Sequence, residues 1–368
     1  MTRLTVLILL TGCVGWSAGL KPVSSAEVCG RCHRAILEAW KLSAHADAME
    51  SSLFQDTLEL AEADFGTASR KICLGCHSPL TVATGDTALS QKVSWEGITC
   101  DYCHSIRSVA FEGSNPRAKV EFSLVKSGPF KDSTSIAHGT VFSPVHISSE
   151  VCAPCHEYRN ATGLPVLTTY SEWKASRYAR EGKNCQSCHM YRVAGDVVDP
   201  KIRAGGQERV NLHQMPGSHS LDQLTRTIKA KVDSSRQGDQ LKVVVTIANK
   251  AAGHYVPTGS PLRQLVLELS VDTSDDHHFK EERIYRRVVA DQHGTPINRE
   301  HFVFVKAAKT LGDTRLAPDE SRREEFSYNV KAGMQTNVKA TLSYVYSPLA
   351  RTQSQQRVTL LSLSKIVF

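Results

Sequence analysis

The chain has 368 residues and a formal net charge of +7, with 22% charged and 7% aromatic residues. That length supports two or three domains with cores of their own, and the composition excludes a disordered or fibrous chain. The positive charge is spread thinly. Its densest clusters, Arg283-Ile-Tyr-Arg286-Arg287 and Arg322-Arg323, sit beside acids as solvated strand edges do, which argues against a nucleic-acid stripe.

Residues 1–19 read as an export signal: Arg3 supplies the positive start and Leu4 to Leu10 a compact apolar run. The run ends in Leu10-Thr-Gly-Cys13, which resembles a bacterial lipobox, so one reading has Cys13 lipidated and tethering the protein to a membrane. The other has an ordinary signal cut near Ser17-Ala-Gly19. Both put the mature protein outside the cytoplasm, in the periplasm or at the outer membrane or cell surface. No later stretch approaches the roughly 20 apolar residues of a spanning helix.

Ten of the eleven cysteines fall into five copies of Cys-x-x-Cys-His. The first copy is Cys29, Cys32 and His33, and the second Cys73, Cys76 and His77. Cys100, Cys103 and His104 form the third, Cys152, Cys155 and His156 the fourth, and Cys185, Cys188 and His189 the fifth. This spacing is the attachment motif of c-type haem. Two thiols form thioethers to the porphyrin, and the adjoining imidazole, carried in a short helical turn, binds the iron. Zinc fingers separate their cysteine and histidine pairs instead of fusing them. Five covalent haems are therefore expected, with His33, His77, His104, His156 and His189 as proximal ligands. The roughly ten propionates they carry would bring the net charge close to zero, which accounts for the basic chain.

All motifs lie in residues 24–222, read as a mostly irregular and helical pentahaem domain. A short helix is expected after the first motif, with Ile36, Leu37 and Trp40 on one face. Glycine, serine and proline are frequent between motifs, so the haems themselves are expected to supply the apolar mass. Ten histidines remain for the distal iron positions. His45, His146, His213, His219 and His254 are the five candidates, with His138 in reserve. A helix leads His45 away from its own motif, so it is expected to serve a neighbouring haem. His277 and His278 read as solvent histidines, His293 as a turn residue, and His301 has no context favouring iron. Met49 and Met215 rank behind the histidines.

From residue 223 to 368 seven runs alternate apolar and polar residues, which fits an antiparallel β-sandwich of immunoglobulin-like type, without a disulfide. The fold class is thus α+β and multidomain. His254 lies in this half, in "NKAAGHYVPTGSPLRQ". Its small residues would let backbone approach a porphyrin closely, and the imidazole would pin the two halves together. Arg263, just beyond, reads either as a propionate partner or as a plain strand-edge arginine.

The segments "AEVCGRCHRAILEAWKLSAHA", "SPVHISSEVCAPCH", "HQMPGSHS" and "NKAAGHYVPTGSPLRQ" resemble multihaem c-type cytochromes of the cytochrome c-554 type. The resemblance implies distal ligation by His45, His146 and His254, and matches His213 and His219 to a His-x-x-Pro-Gly-x-His pattern. Five motifs depart from the tetrahaem members. The resulting expectation is an electron carrier with imidazole on both sides of every iron, all low-spin, working with other cytochromes, quinol-oxidising complexes or terminal reductases. The alternatives are a haem reductase or oxidase of a small nitrogen or sulfur compound with one open iron face, and a subunit of an extracellular cytochrome filament.

Overall fold

The computed structural model describes residues 23–203, 208–349 and 355–368. The export-signal reading of residues 1–19, Cys13 included, lies outside the described residues. Among those described, no helix is long and apolar enough to cross a membrane.

The first half is built from short helices and two-stranded ladders. Its longest helix is Ser52–Phe65. The helix after the first motif, Arg34–Lys41, buries Leu37 and Trp40. Gly30 lies beneath it, where any Cβ would overlap the Leu37 side chain. Apolar side chains gather only in small groups here, such as Met49, Phe54, Leu58, Leu74 and Leu89, or Ala26, Leu37 and Trp40. So little side-chain core is too small to hold this length of chain together unaided.

The second half begins with the helix Leu221–Thr227 and continues as eight strands. These are β1 (Ile228–Gln237), β2 (Gln240–Asn249), β3 (Arg263–Thr273), β4 (His278–Ala290), β5 (Lys309–Asp313), β6 (Ser321–Asn329), β7 (Thr336–Tyr346) and β8 (Gln356–Val367). They form two antiparallel sheets, in the orders β6-β2-β1 and β5-β4-β3-β7-β8. The sheets share one core, with Leu241, Val243 and Val245 of β2 against Leu265 and Leu267 of β3 and Val338 and Leu342 of β7. Seven strands coincide with the alternating runs. The eighth, β5, is exposed throughout and has no apolar alternation to mark it.

The halves meet along a mixed seam. Val166 packs with Val289, Val303 and Ala307, and Asn160 Nδ2 donates to the Ala307 carbonyl at 2.7 Å. Arg287 departs from the solvated-edge expectation. It is 8% exposed and donates to the carbonyls of Pro165 at 2.7 Å and Val166 at 3.4 Å. Its neighbours Arg283, Arg322 and Arg323 do pair with nearby acids at the surface. His301 is buried, and its Nε2 meets Asp64 at 2.8 Å across the same seam.

Candidate metal centres

Each Cys-x-x-Cys-His motif sits on or beside a short helix whose start is fixed locally. Ser25, Thr99 and Asn184 cap the first, third and fifth by accepting from a backbone N–H one turn in. The second and fourth lie in Arg70–His77 and, from its last four residues, Ala153–His156. The first motif departs from the helical turn expected to carry its histidine. Its helix, Ala26–Gly30, stops before the second cysteine, so Cys32 and His33 lie in the turn that leads to the next helix. That turn is anchored from a distance: the Cys32 carbonyl accepts from Asp199 N at 2.7 Å. The second cysteines of the other motifs, Cys76, Cys103, Cys155 and Cys188, are all helical.

None of the ten motif cysteines is paired in a disulfide. Thiols of different motifs touch: Cys29 with Cys100, Cys76 with Cys155, and Cys152 with Cys185. Tyr102 of the third motif is buried beside Cys155 and Cys76, and burial first, then those thiols, pushes its phenol up. The five motifs therefore form one connected group, with the fourth touching both the second and the fifth.

Two imidazoles that bind one metal from opposite sides, at about 2 Å from nitrogen to metal, have ring centres about 6 Å apart. Four motif histidines face another histidine at this separation. His33 stands 6.2 Å from His138, His156 6.3 Å from His45, His104 6.5 Å from His213, and His189 6.3 Å from His254. The hydrogen bonds agree. The Nδ1 atoms of His33, His104 and His189 lie 2.5, 2.7 and 2.6 Å from the carbonyls of Val197, Ser127 and Pro216. Those of His138, His213 and His254 lie 2.9, 2.7 and 2.8 Å from Gly139, Asn211 and Tyr255 carbonyls. A protonated Nδ1 donating to a carbonyl leaves Nε2 as the metal-binding atom. Burial holds His45 and His156 at about 4 and about 3, in the neutral form that ligates.

Two of the five distal candidates take other positions. His146 stacks on His104 at 5.5 Å, but its Nε2 is 3.0 Å from the Cys103 carbonyl and its Nδ1 is buried without a partner. His219 is exposed and stands at the paired separation from no motif ring. His138, the reserve, stands across from His33. His45 faces the fourth motif, as its outgoing helix suggested.

His77 differs from the other four. Its Nδ1 is 3.2 Å from the Ala48 carbonyl, and Phe54 stacks on its ring at 3.9 Å. All fifteen histidines lie within the described residues, and none stands opposite it at the paired separation.

These donor sets fit haem c: paired thiols with an adjoining imidazole, and opposed rings spaced for an iron between them. The family model described as "Cytochrome c554 and c-prime" matches residues 28–105. Over that stretch the chain is similar to multihaem c-type cytochromes. It is 30% identical over 165 residues to "Cytochrome c-554" of Nitrosomonas europaea, covering 42% of this chain and 63% of that relative's length, so it spans less than two thirds of that relative. A solved "penta-heme cytochrome c552 from Thermochromatium tepidum" superposes with a TM-score of 0.73 at 22% identity, over 94% of this chain and 99% of that one. That likeness speaks to the fold.

The loop bearing His254 is held by residues the cytochrome motifs do not mark. Asn249 Nδ2 donates to the His254 carbonyl at 3.0 Å. Glu172, from the first half, accepts from Tyr255 N at 3.1 Å and Thr258 Oγ1 at 2.9 Å, and pairs with Arg315 at 2.8 Å. Gly253 has a different use from the close porphyrin approach expected of it. A Cβ there would lie 3.1 Å from Tyr178 and 3.2 Å from Trp173, so the glycine admits those two side chains.

Gly97 supports His45 in a similar way. Its φ is +65°, a Cβ would collide with the His45 carbonyl, and Ile98 N donates to that same carbonyl at 3.0 Å. Gly97→Ala is expected to cost about 1–3 kcal/mol from the strained backbone and to push His45 away from His156. A lowered Tm together with a new high-spin signal would carry the point; a low-spin spectrum unchanged from wild type would refute it.

Proposed function

We propose that this chain is an exported electron carrier with five covalent haems, passing electrons between redox proteins in the periplasm or at the cell surface. The observation that carries this reading is the set of four opposed histidine pairs within a single connected group of motifs. Haem iron supplies one-electron chemistry when bound. The chain's own residues fix each attachment point, hold imidazoles in the Nε2-binding tautomer through Nδ1 contacts, and keep water out by burial. Two domains are proposed, a cytochrome domain over residues 24–222 and a β-domain over 223–368. The strand orders β6-β2-β1 and β5-β4-β3-β7-β8 support an immunoglobulin-like arrangement for the second. Lipidation at Cys13 is the proposed membrane tether.

In this reading His33/His138, His104/His213, His156/His45 and His189/His254 ligate four irons from both sides, and His77 holds the fifth from one. The all-low-spin expectation changes accordingly. A haem count by mass is expected to give five, and electron paramagnetic resonance of the oxidised protein four low-spin centres and one high-spin centre. Five low-spin centres would defeat the assignment at His77, and fewer than five haems the stoichiometry. One observation, the unpaired His77, also favours the second reading, in which that iron face reduces or oxidises a small nitrogen or sulfur compound.

A further inference from the structure

One end of the larger sheet carries a polar group that the histidine pairs leave unexplained. Arg263 opens β3 and pairs in register with Tyr346 of β7; two residues on, Leu265 pairs with Tyr344. Side chains alternate along a strand, so Arg263, Leu265, Tyr344 and Tyr346 share one face. Leu265 and Tyr344 belong to the core. Arg263 therefore places a guanidinium on the core face of its sheet, at the end directed toward the cytochrome half.

The Arg263 Nε is buried without a hydrogen-bond partner, and Nη1 makes one long contact, 3.4 Å to the Thr258 carbonyl. Gly259, at φ +86°, makes room for the side chain, since a Cβ would stand 3.1 Å from Nη1. Tyr344 is 5% exposed, and its hydroxyl is also buried without a partner. The neighbouring carboxylate, Glu300, is engaged elsewhere: Ser260 Oγ donates to it at 2.6 Å, and the Tyr346 hydroxyl bonds to it. Burial raises the Glu300 carboxyl, which weakens it further as a counter-ion. Arg263 is attracted to Glu300 and lies over the Tyr346 ring at 5.4 Å, but neither gives Nε a hydrogen bond, and two buried donors without hydrogen-bond partners are costly unless an acceptor meets them. Glu300 opens the helix Glu300–Lys306, whose His301 meets Asp64 of the helix Ser52–Phe65, and Phe54 of that same helix stacks on His77, so the site lies on the side of the second motif.

We propose that Arg263 and Tyr344 form an oxyanion site at the junction of the two halves, taking one carboxylate-like anion beside the haem of the second motif. Arginine's planar fork suits such an anion, and the tyrosine hydroxyl adds a neutral donor. The anion is either a haem propionate or a small oxyanion from solution. The site rests on haem attachment at the second motif, which is checked independently.

The test uses the fully loaded protein and its Arg263→Gln, Arg263→Lys and Tyr344→Phe variants. Haem count by mass comes first, so that lost attachment is not mistaken for a lost anion site. Each protein then undergoes a redox titration and an optical titration with sodium formate. With a propionate in the site, wild type ignores formate, and Arg263→Gln shifts the potential of one haem downward while Arg263→Lys largely restores it. With a free oxyanion, formate gives a saturable change in wild type that weakens about tenfold or more in Arg263→Gln and also weakens in Tyr344→Phe. Unchanged potentials combined with a formate response that is absent or equal in all four proteins would overturn the proposal. Tyr344→Phe keeps the core volume, so it remains informative if the arginine variants fold poorly.

Discussion

Replacing His254 with alanine is expected to turn one low-spin haem high-spin while leaving the others as they were. The expectation follows from the 6.3 Å facing of His189 and His254, with Nδ1 of each ring held by a carbonyl. In the proposed assignment, removing the imidazole would delete one strong axial ligand and leave the thioethers and His189 in place, so the haem count by mass should not change. The potential of that haem should rise, since imidazole on both sides favours the ferric state. Added imidazole should restore the low-spin signal, which separates a lost ligand from a misfolded domain. A His254→Ala protein with an unchanged low-spin spectrum would show that His189 finds its partner elsewhere. The same substitution at His219 should alter nothing, because that ring is exposed and stands at the paired separation from no motif ring.

The proposed attachment points could be read from the sequence alone because Cys-x-x-Cys-His is local: five residues carry the whole chemical requirement. The local backbone was less legible, since the helix of the first motif ends before Cys32 while the other four motifs keep their second cysteine helical. The histidines that face the motif rings were harder, because each comes from a distant segment and only the fold brings it to its motif. His45, His213 and His254 could be picked out by their surroundings, but His138 lies in the loop-like stretch "IAHGTVF" that looks like any surface turn. His146 illustrates the opposite difficulty. Its place just ahead of the fourth motif suggests a ligand, yet its Nε2 is taken by the Cys103 carbonyl. Which nitrogen a hydrogen bond occupies is invisible in a sequence. The β-half was legible through alternation, except for β5, whose exposure on both faces erases the pattern. Glu172 had no signal at all, since a lone glutamate on a short helix is ordinarily solvated.

Glu172→Ala is expected to have a large effect on stability for a single substitution outside the motifs. Glu172 and Arg315 have side chains only 6% and 8% exposed, and their 2.8 Å contact crosses between the two halves. Removing one member of a buried pair leaves the other charge uncompensated, at a cost of about 3–5 kcal/mol. Arg315 retains Asp313 at 2.7 Å, which puts the expected loss toward the lower end of that range. The loss should reach beyond the pair, because Glu172 also accepts from Tyr255 N and Thr258 Oγ1 and so fixes the loop that carries His254. Glu172→Gln keeps the shape and acceptor oxygen but not the charge, so it should cost less while still weakening the Arg315 contact. Both variants should show a lowered Tm and a partial high-spin signal from the fifth motif, in proportion. Acid should act on the same seam. Burial opposes the charge on Asp313, but Arg315 overrides it and holds that carboxyl below its usual value. Its contribution is therefore present at neutral pH and fades as pH falls through the lowered folded value. Loss of stability without any change in the fifth-motif spin state would confine Glu172 to joining the halves, and would remove it from the support of His254.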